Sequence, residues 1–199
     1  MADFTTEKTW SVGDTLAAAD MNTYVRDNVQ NLYDNSMLLI ESVTLSSDTA
    51  DVTFDSISGD FNHLCVKFLT RSDQESSKML YMTFNGSADT DLYSIQNHYG
   101  ENTGTGARRR TGDGRLLYSA EMPTSTDPAA ATAGTIDVLG YAQTTFYKII
   151  TGVMTTMPTF RSVNTGGIWK STDAITSISL YPGEGSFASG SIFSLYGYR

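Results

Sequence analysis

Two hydrophobic periods divide this chain. From about Ala17 the apolar positions recur every three or four residues, at Ala18, Met21, Val25, Leu32 and either Asn28 or Val29. That stripe predicts an amphipathic helix over about 17–34, roughly four turns long. An isolated helix of this length is marginal in water, so its apolar face needs a partner. The partner is either the rest of the same chain or other copies of this helix in a short parallel bundle. In a bundle, Asn28 would be a polar residue inside the seam, which fixes register at some cost in stability. Asp34-Asn35 favours caps and turns and predicts the helix end. Ahead of the helix, residues 1–13 read as extended, with Trp10 as the large anchor and Gly13-Asp14 as a turn.

Beyond the helix the period changes to two. Val43 and Leu45 alternate with polar residues, as do Val52 and Phe54. Leu64, Val66 and Phe68 lie in a more continuous apolar run. Leu80, Met82 and Phe84 form one face and end at Asn85-Gly86, a hairpin signal. Further strands are predicted over Ile136 to Tyr141, Phe146 to Val153, Thr176 to Leu180 and Ile192 to Tyr198. Short strands at this spacing, with no helices between them, predict a mainly β fold: an antiparallel, jelly-roll-like β-sandwich preceded by one N-terminal α-helix. The domain plan is a docking or oligomerisation segment, residues 1–36, and a β-sandwich domain, residues 37–199. Gly100 to Gly114 and Glu121 to Gly134 read as two long loops, the first rich in Gly, Thr and Arg and the second in Pro, Ala, Thr and Ser.

Charge narrows the partners. The 199 residues carry 13 Lys and Arg against 22 Asp and Glu, a formal charge of -9. That balance argues against duplex nucleic acid, whose phosphates require a basic face, and against docking on an anionic bilayer. The most apolar short run, Met37 to Ile40, is far too short to span a membrane. The start Met-Ala-Asp-Phe has neither a basic nor an apolar leader segment, so the expectation is a chain made in the cytoplasm without a signal peptide.

Candidate chemistry is sparse. Cys65 is the single cysteine, which excludes an intrachain disulfide, and it reads as a small buried hydrophobe. His63 and His98 are far apart in the chain, and His63 falls in a strand. Asp89-Thr90-Asp91 offers carboxylates beside a turn, a pattern more typical of solvated loops than of calcium sites. Gly104-Thr105-Gly106 starts like a dinucleotide fingerprint, but Arg109 stands where the third glycine belongs. The expectation is no cofactor, no metal and no catalytic residue. Arg108, Arg109 and Arg110, with Arg115 nearby, concentrate positive charge in the first long loop. They read either as a solvated tip or as a contact for an acidic neighbour or anionic polymer, which arginine forks suit. Trp169 reads as a loop residue, either stacking on a sugar ring or forming a lid over one end of the sandwich.

The stretch TWSVGDTLAAADMNTYVRDNVQNLYDN resembles the N-terminal adaptor of tailed-bacteriophage virion structural proteins, through Trp10, Gly13, Asn22, Arg26-Asp27-Asn28 and Leu32. Ala17 stands where that pattern has a Thr or Ser helix cap. The stretches VTFDSISGDFNHLCVKFLTRSD, YMTFNGSADTDLYS and TDAITSISLYPGEGSFASGSIFSLYGYR resemble the body of the same group, in the same order. The resemblance implies a non-enzymatic virion component, often trimeric, with a jelly-roll-like head, placed as a capsid decoration, head fibre or tail fibre part. Its partners would be copies of itself and other capsid or tail proteins. It implies no binding residues.

Three readings follow. In the first, Trp10, Met21, Val25, Asn28, Val29 and Leu32 form an oligomer seam or docking segment for a structural module, and many weak contacts on one particle add by avidity. In the second, the module binds a host surface glycan through Trp169, Tyr93 and Tyr99, with the arginines serving anionic sugars. The third, a carbohydrate-active enzyme, has no residue constellation in its favour.

Overall fold

The structure, a computed structural model, describes residues 8–34, 36–157 and 160–199. Residues 1–7 of the expected extended start, and Asn35 of the expected helix end, lie outside the described residues. Ser11 and Asp14 close the turn predicted at Gly13: the Ser11 amide donates to the Asp14 carboxylate at 2.8 Å, and the Asp14 amide donates to the Ser11 carbonyl at 3.1 Å. Gly13 has φ +97°, a conformation that glycine adopts without strain.

The helical stretch is α1 (Ala18–Asp20), a π-helical turn (Met21–Arg26) and α2 (Asp27–Asp34). Ala17 occupies the N-cap without a side-chain hydrogen bond, as alanine must. The π-helical turn corrects the expectation of a regular α-helix, because it turns the residues after it relative to those before it.

Twelve strands follow. They are β1 (Met37–Thr44), β2 (Val52–Phe54), β3 (His63–Thr70), β4 (Lys78–Phe84), β5 (Tyr93–Glu101), β6 (Gly104–Thr111), β7 (Leu116–Met122), β8 (Thr132–Leu139), β9 (Lys148–Thr156), β10 (Arg161–Trp169), β11 (Ile178–Pro182) and β12 (Ile192–Tyr198). An eight-stranded sheet has the order β1-β12-β3-β8-β9-β10-β5-β6, and a four-stranded sheet has the order β2-β11-β4-β7. Every pairing is antiparallel. From β1 to β5 the chain alternates between the sheets. The late strands then return to the early ones: β10 beside β5, β11 between β2 and β4, and β12 between β1 and β3. This nesting is the jelly-roll-like sandwich that the period-two pattern predicts.

Strand β9 shows why the sheets pack. Its residues alternate strictly, with Lys148, Ile150, Gly152, Met154 and Thr156 inside and Ile149, Thr151, Val153 and Thr155 outside. Between the sheets, Phe54, Leu80, Met82, Phe84, Tyr118 and Leu180 meet Leu64, Val66, Ile136, Val138, Ile150 and Phe193. Each fully buried large apolar side chain contributes about 1.5–3 kcal/mol.

Three expectations are corrected. The first long loop is mostly strand: 101–104 is a tight turn, and Gly104–Thr111 pairs with β5 as an edge strand. Neither face of β6 is fully buried, so it carries no apolar alternation to reveal it. The second loop shortens to 123–131, because β7 runs to Met122 and β8 starts at Thr132. Asn85-Gly86 does form a tight turn, with φ of 52° and 64° and the Ser87 amide bonded to the Phe84 carbonyl at 2.9 Å. It does not close a hairpin, since the next strand, β5, belongs to the other sheet. The Asn85 side chain instead bonds the 174–177 segment: its amide donates to the Ala174 carbonyl, and its oxygen accepts from the Thr176 and Ser177 amides.

Candidate functional site

The helix keeps its apolar stripe in the open. No described residue of the helical stretch is buried. Met21, Val25, Val29, Leu32 and Trp10 are all exposed. Asn28 is half-buried and donates to the Tyr24 carbonyl at 3.2 Å. Lys8 sits 4.4 Å above the Trp10 ring and pairs with Asp20 at 2.5 Å, tying the chain entry to the first turn. At the other end, the Arg199 guanidinium lies 4.3 Å over Tyr33.

The aromatic residues expected at a glycan surface lie elsewhere. Trp169 is not in a loop. It ends β10, is 2% exposed, and packs with its ring centroid 5.5 Å from Phe84. Tyr93 is equally buried, and its hydroxyl donates to the Ser87 carbonyl at 2.9 Å and accepts from the Phe84 amide at 3.0 Å. Burial raises its pKa. Tyr99 is half-buried under the Arg161 guanidinium, 4.8 Å away. The period-two reading missed β5 and β10, so it left all three residues in loops.

The arginine cluster is divided by the pleat. Arg109 pairs with Gln96 on the outer face of the large sheet, whereas Arg108 and Arg110 pair with the inward-facing Asn97 and Ile95. Arg110 lies 4.0 Å from Asp113. Arg115 joins the other sheet's surface and stacks 4.1 Å from Tyr81.

Outward positions of β9, β10, β5 and β6 form one continuous surface. Register sets Ile149 beside Ile168 and Ile168 beside Ser94. The next row is Thr151, Gly166, Gln96 and Arg109, and the one after is Val153, Asn164, His98 and Ala107. Gly166 lacks a side chain at the centre, which opens a depression of about 450 Å³ bounded by Ile149, Ile168, Thr151, Gln96 and Arg109. A second depression of about 450 Å³ continues along His98, Gly100, Thr105, Ala107, Ser162 and Asn164. A third, of about 470 Å³, ends at Asn102 and the exposed Phe160. The alternation of Tyr93, Ile95 and Asn97 with Ser94, Gln96 and His98 is the sequence signal that could have placed this surface.

The remaining polar residues have structural partners. His63 Nδ1 accepts the Gly140 amide at 3.0 Å. His63 and His98 lie on β3 and β5, strands four inter-strand spacings or about 19 Å apart, with His98 a further four residues along its strand, too far to share an ion. The Asp89 carboxylate accepts the Asp91 amide at 2.9 Å, closing a local turn. Cys65 is buried as expected. Burial, together with Asp137, pushes its thiol up to about 11, and burial beside Cys65 pushes Tyr198 up to about 12. Among the described residues, no group of three or more His, Cys, Asp or Glu could hold a metal ion, and no helix is long and apolar enough to cross a membrane.

The class this architecture defines is an antiparallel β-sandwich of jelly-roll-like topology with an uncovered amphipathic helix. No protein-family model and no curated protein matches the chain. Among solved structures it is similar to a mutant of the alginate lyase Aly36B in complex with alginate trisaccharide. The match covers 88% of this chain and 93% of that one, at 8% identity and a TM-score of 0.33. A likeness at that level carries no argument about function.

Proposed function

We propose that this chain is a non-enzymatic structural component of a tailed-bacteriophage virion. It assembles as a homotrimer through its N-terminal helix and projects the β-sandwich as a capsid decoration, head fibre or tail fibre part. The observation that carries this reading is the uncovered stripe of Met21, Val25, Val29 and Leu32. A helix of this length is marginal alone, so a stripe that its own sandwich does not bury calls for copies or neighbours to cover it. The order of phage-like motifs along the chain supports the virion setting, and the strand-rich head supports a rigid projecting module. Its partners are further copies of itself and neighbouring capsid or tail proteins.

Light scattering on the full chain tests the seam. A trimer is expected, and Val25→Asp is expected to shift it to monomers, because a charge in a packed seam must be desolvated. A wild-type monomer, or a Val25→Asp trimer, would place the assembly contact elsewhere and sink the seam. Peptide mass spectrometry of purified phage particles from the source strain tests the virion setting, and absence of the chain from them removes it.

A further inference from the structure

We propose that the trough across β9, β10, β5 and β6 binds an acidic polysaccharide, with Arg109 taking a sugar carboxylate and the small polar floor taking hydroxyl groups. Its first support is shape. The floor is built from Gly166, Asn164 and Ser162 on β10 and Gln96, His98 and Gly100 on β5, so it is polar and dips where Gly166 and Gly100 carry no side chain. From Ile168 to Ser162 it follows the strands for about 20 Å, at ~3.3 Å per residue, and suits an extended chain rather than a compact ligand.

The lining chemistry is the second support. Ser94, Gln96, Thr105, Thr151, Ser162 and Asn164 provide donors and acceptors on successive rows, as a polyhydroxylated chain requires. The Ile149 and Ile168 side chains border one end and exposed Phe160 the other, giving apolar faces for sugar rings. The buried aromatics Trp169 and Tyr93 have no part in this site.

Charge is the third support and selects an acidic ligand. The protein carries a net charge of -9, yet the outward positions of β9, β10, β5 and β6 include no Asp or Glu. They include Arg109 and His98. Glu101 borders the far depression, but its carboxylate is held by Arg161 at 2.7 and 2.9 Å. The nearest acid in the Arg109 row is Asp137 on β8, beside Cys65 and four strands from Arg109, so the β5–β6 side of the trough is its cationic side. A local cation attracts carboxylates, and a guanidinium fork suits them geometrically. The site stands on this geometry whether or not the chain belongs to a virion.

The test is calorimetric titration of the full chain with hexasaccharides of homogalacturonan, alginate and hyaluronan. Methyl-esterified galacturonan, maltohexaose and a hexaglutamate peptide are the controls. At least one acidic hexasaccharide is expected to bind at least tenfold more tightly than every control. Arg109→Ser and Gly166→Ile are each expected to weaken that binding at least tenfold at unchanged melting temperature. Gly166→Ile is compatible with the fold, because a Cβ there meets nothing within 4 Å and the glycine is not in the left-handed region. Binding of none of the three acids overturns the proposal. So does equal binding of the neutral sugars, which removes the carboxylate, or of hexaglutamate, which makes the surface an acidic-protein contact. Binding that survives Gly166→Ile places the ligand elsewhere and overturns it too.

Discussion

Trp169 on β10 stands directly opposite Tyr93 on β5, and both rings point into the sandwich against Phe84. The pair closes one end of the core, where the Tyr93 hydroxyl also holds the turn after β4. Trp169→Ala is therefore expected to cost about 3–5 kcal/mol in urea unfolding, as large-to-small core changes do. Trp169→Phe costs less, because Trp169 Nε1 is a buried donor without a partner and its loss leaves nothing unsatisfied. A Trp169→Ala protein of unchanged stability would mean that this end of the core can close over the gap.

Arg161 ties three strands together. At the start of β10 it bonds Glu101 at the end of β5 at 2.7 and 2.9 Å, and Glu121 on β7 at 2.7 Å. Because β7 lies in the small sheet, this triad fastens one sheet to the other. Arg161→Met leaves two carboxylates facing each other without a cation and is expected to cost about 2–3 kcal/mol. In Glu101→Gln/Glu121→Gln the further loss on Arg161→Met should fall to about 1 kcal/mol or less. A double-mutant cycle with no coupling would show that the triad is solvated and contributes little.

The outer face of β3 makes stability sensitive to alkali. In the folded chain burial, then Asp137, raises Cys65 from its ordinary 9.0 to about 11, and burial raises Tyr198 to about 12. The fold keeps these protons to higher pH than the unfolded chain does. The thiol's stabilisation is complete below pH 9 and is lost as the pH rises through 11, by at most about 3 kcal/mol, and that of Tyr198 is lost between pH 10 and about 12. Lys148 acts in the opposite sense, since burial lowers its pKa. The comparison is therefore between wild type and Cys65→Ala, measured as urea midpoints from pH 8 to 11. Cys65→Ala is expected to show the flatter decline, and parallel declines would remove the thiol as the cause.

How much of this was legible follows from how each signal is encoded. Strand β9 was visible because one face is core and the other is solvent, so its alternation is strict. The helix stripe was visible as an apolar repeat of three and four residues, although its own sandwich leaves that face uncovered, and the π-helical turn within it was not, because side-chain period does not encode it. Strand β6 was invisible because an edge strand with no fully buried face has no period to show. With β5, β6 and β10 unplaced, Trp169 was read as a loop aromatic and the three arginines as one patch, whereas the pleat buries the first and divides the second. The trough at Gly166 and the Arg161 triad depend on register between strands far apart in sequence. Residue types alone carry no record of that.

Lys148 is the most buried cation among the described residues, at 1% exposure, and it is held by carbonyls, with Asp173 near enough to favour its charge. Its three N–H groups are shared among four carbonyls: Gln143 at 2.6 Å, Phe146 at 3.2 Å, Thr172 at 3.3 Å and Ser171 at 3.5 Å. These belong to two loops, 140–147 before β9 and 170–173 after β10, so one side chain fastens both at the same end of the sandwich. Lys148→Met fills similar volume but orphans the carbonyls, and it is expected to cost about 1–3 kcal/mol. The loss should be local. Amide exchange is expected to quicken at Gln143, which bonds the Gly140 carbonyl, and at Lys170, which bonds the Leu92 carbonyl, while the central amides of β9 keep their protection. Uniformly faster exchange would instead make Lys148 part of the global core. Unchanged exchange in both loops would show that they hold themselves without it.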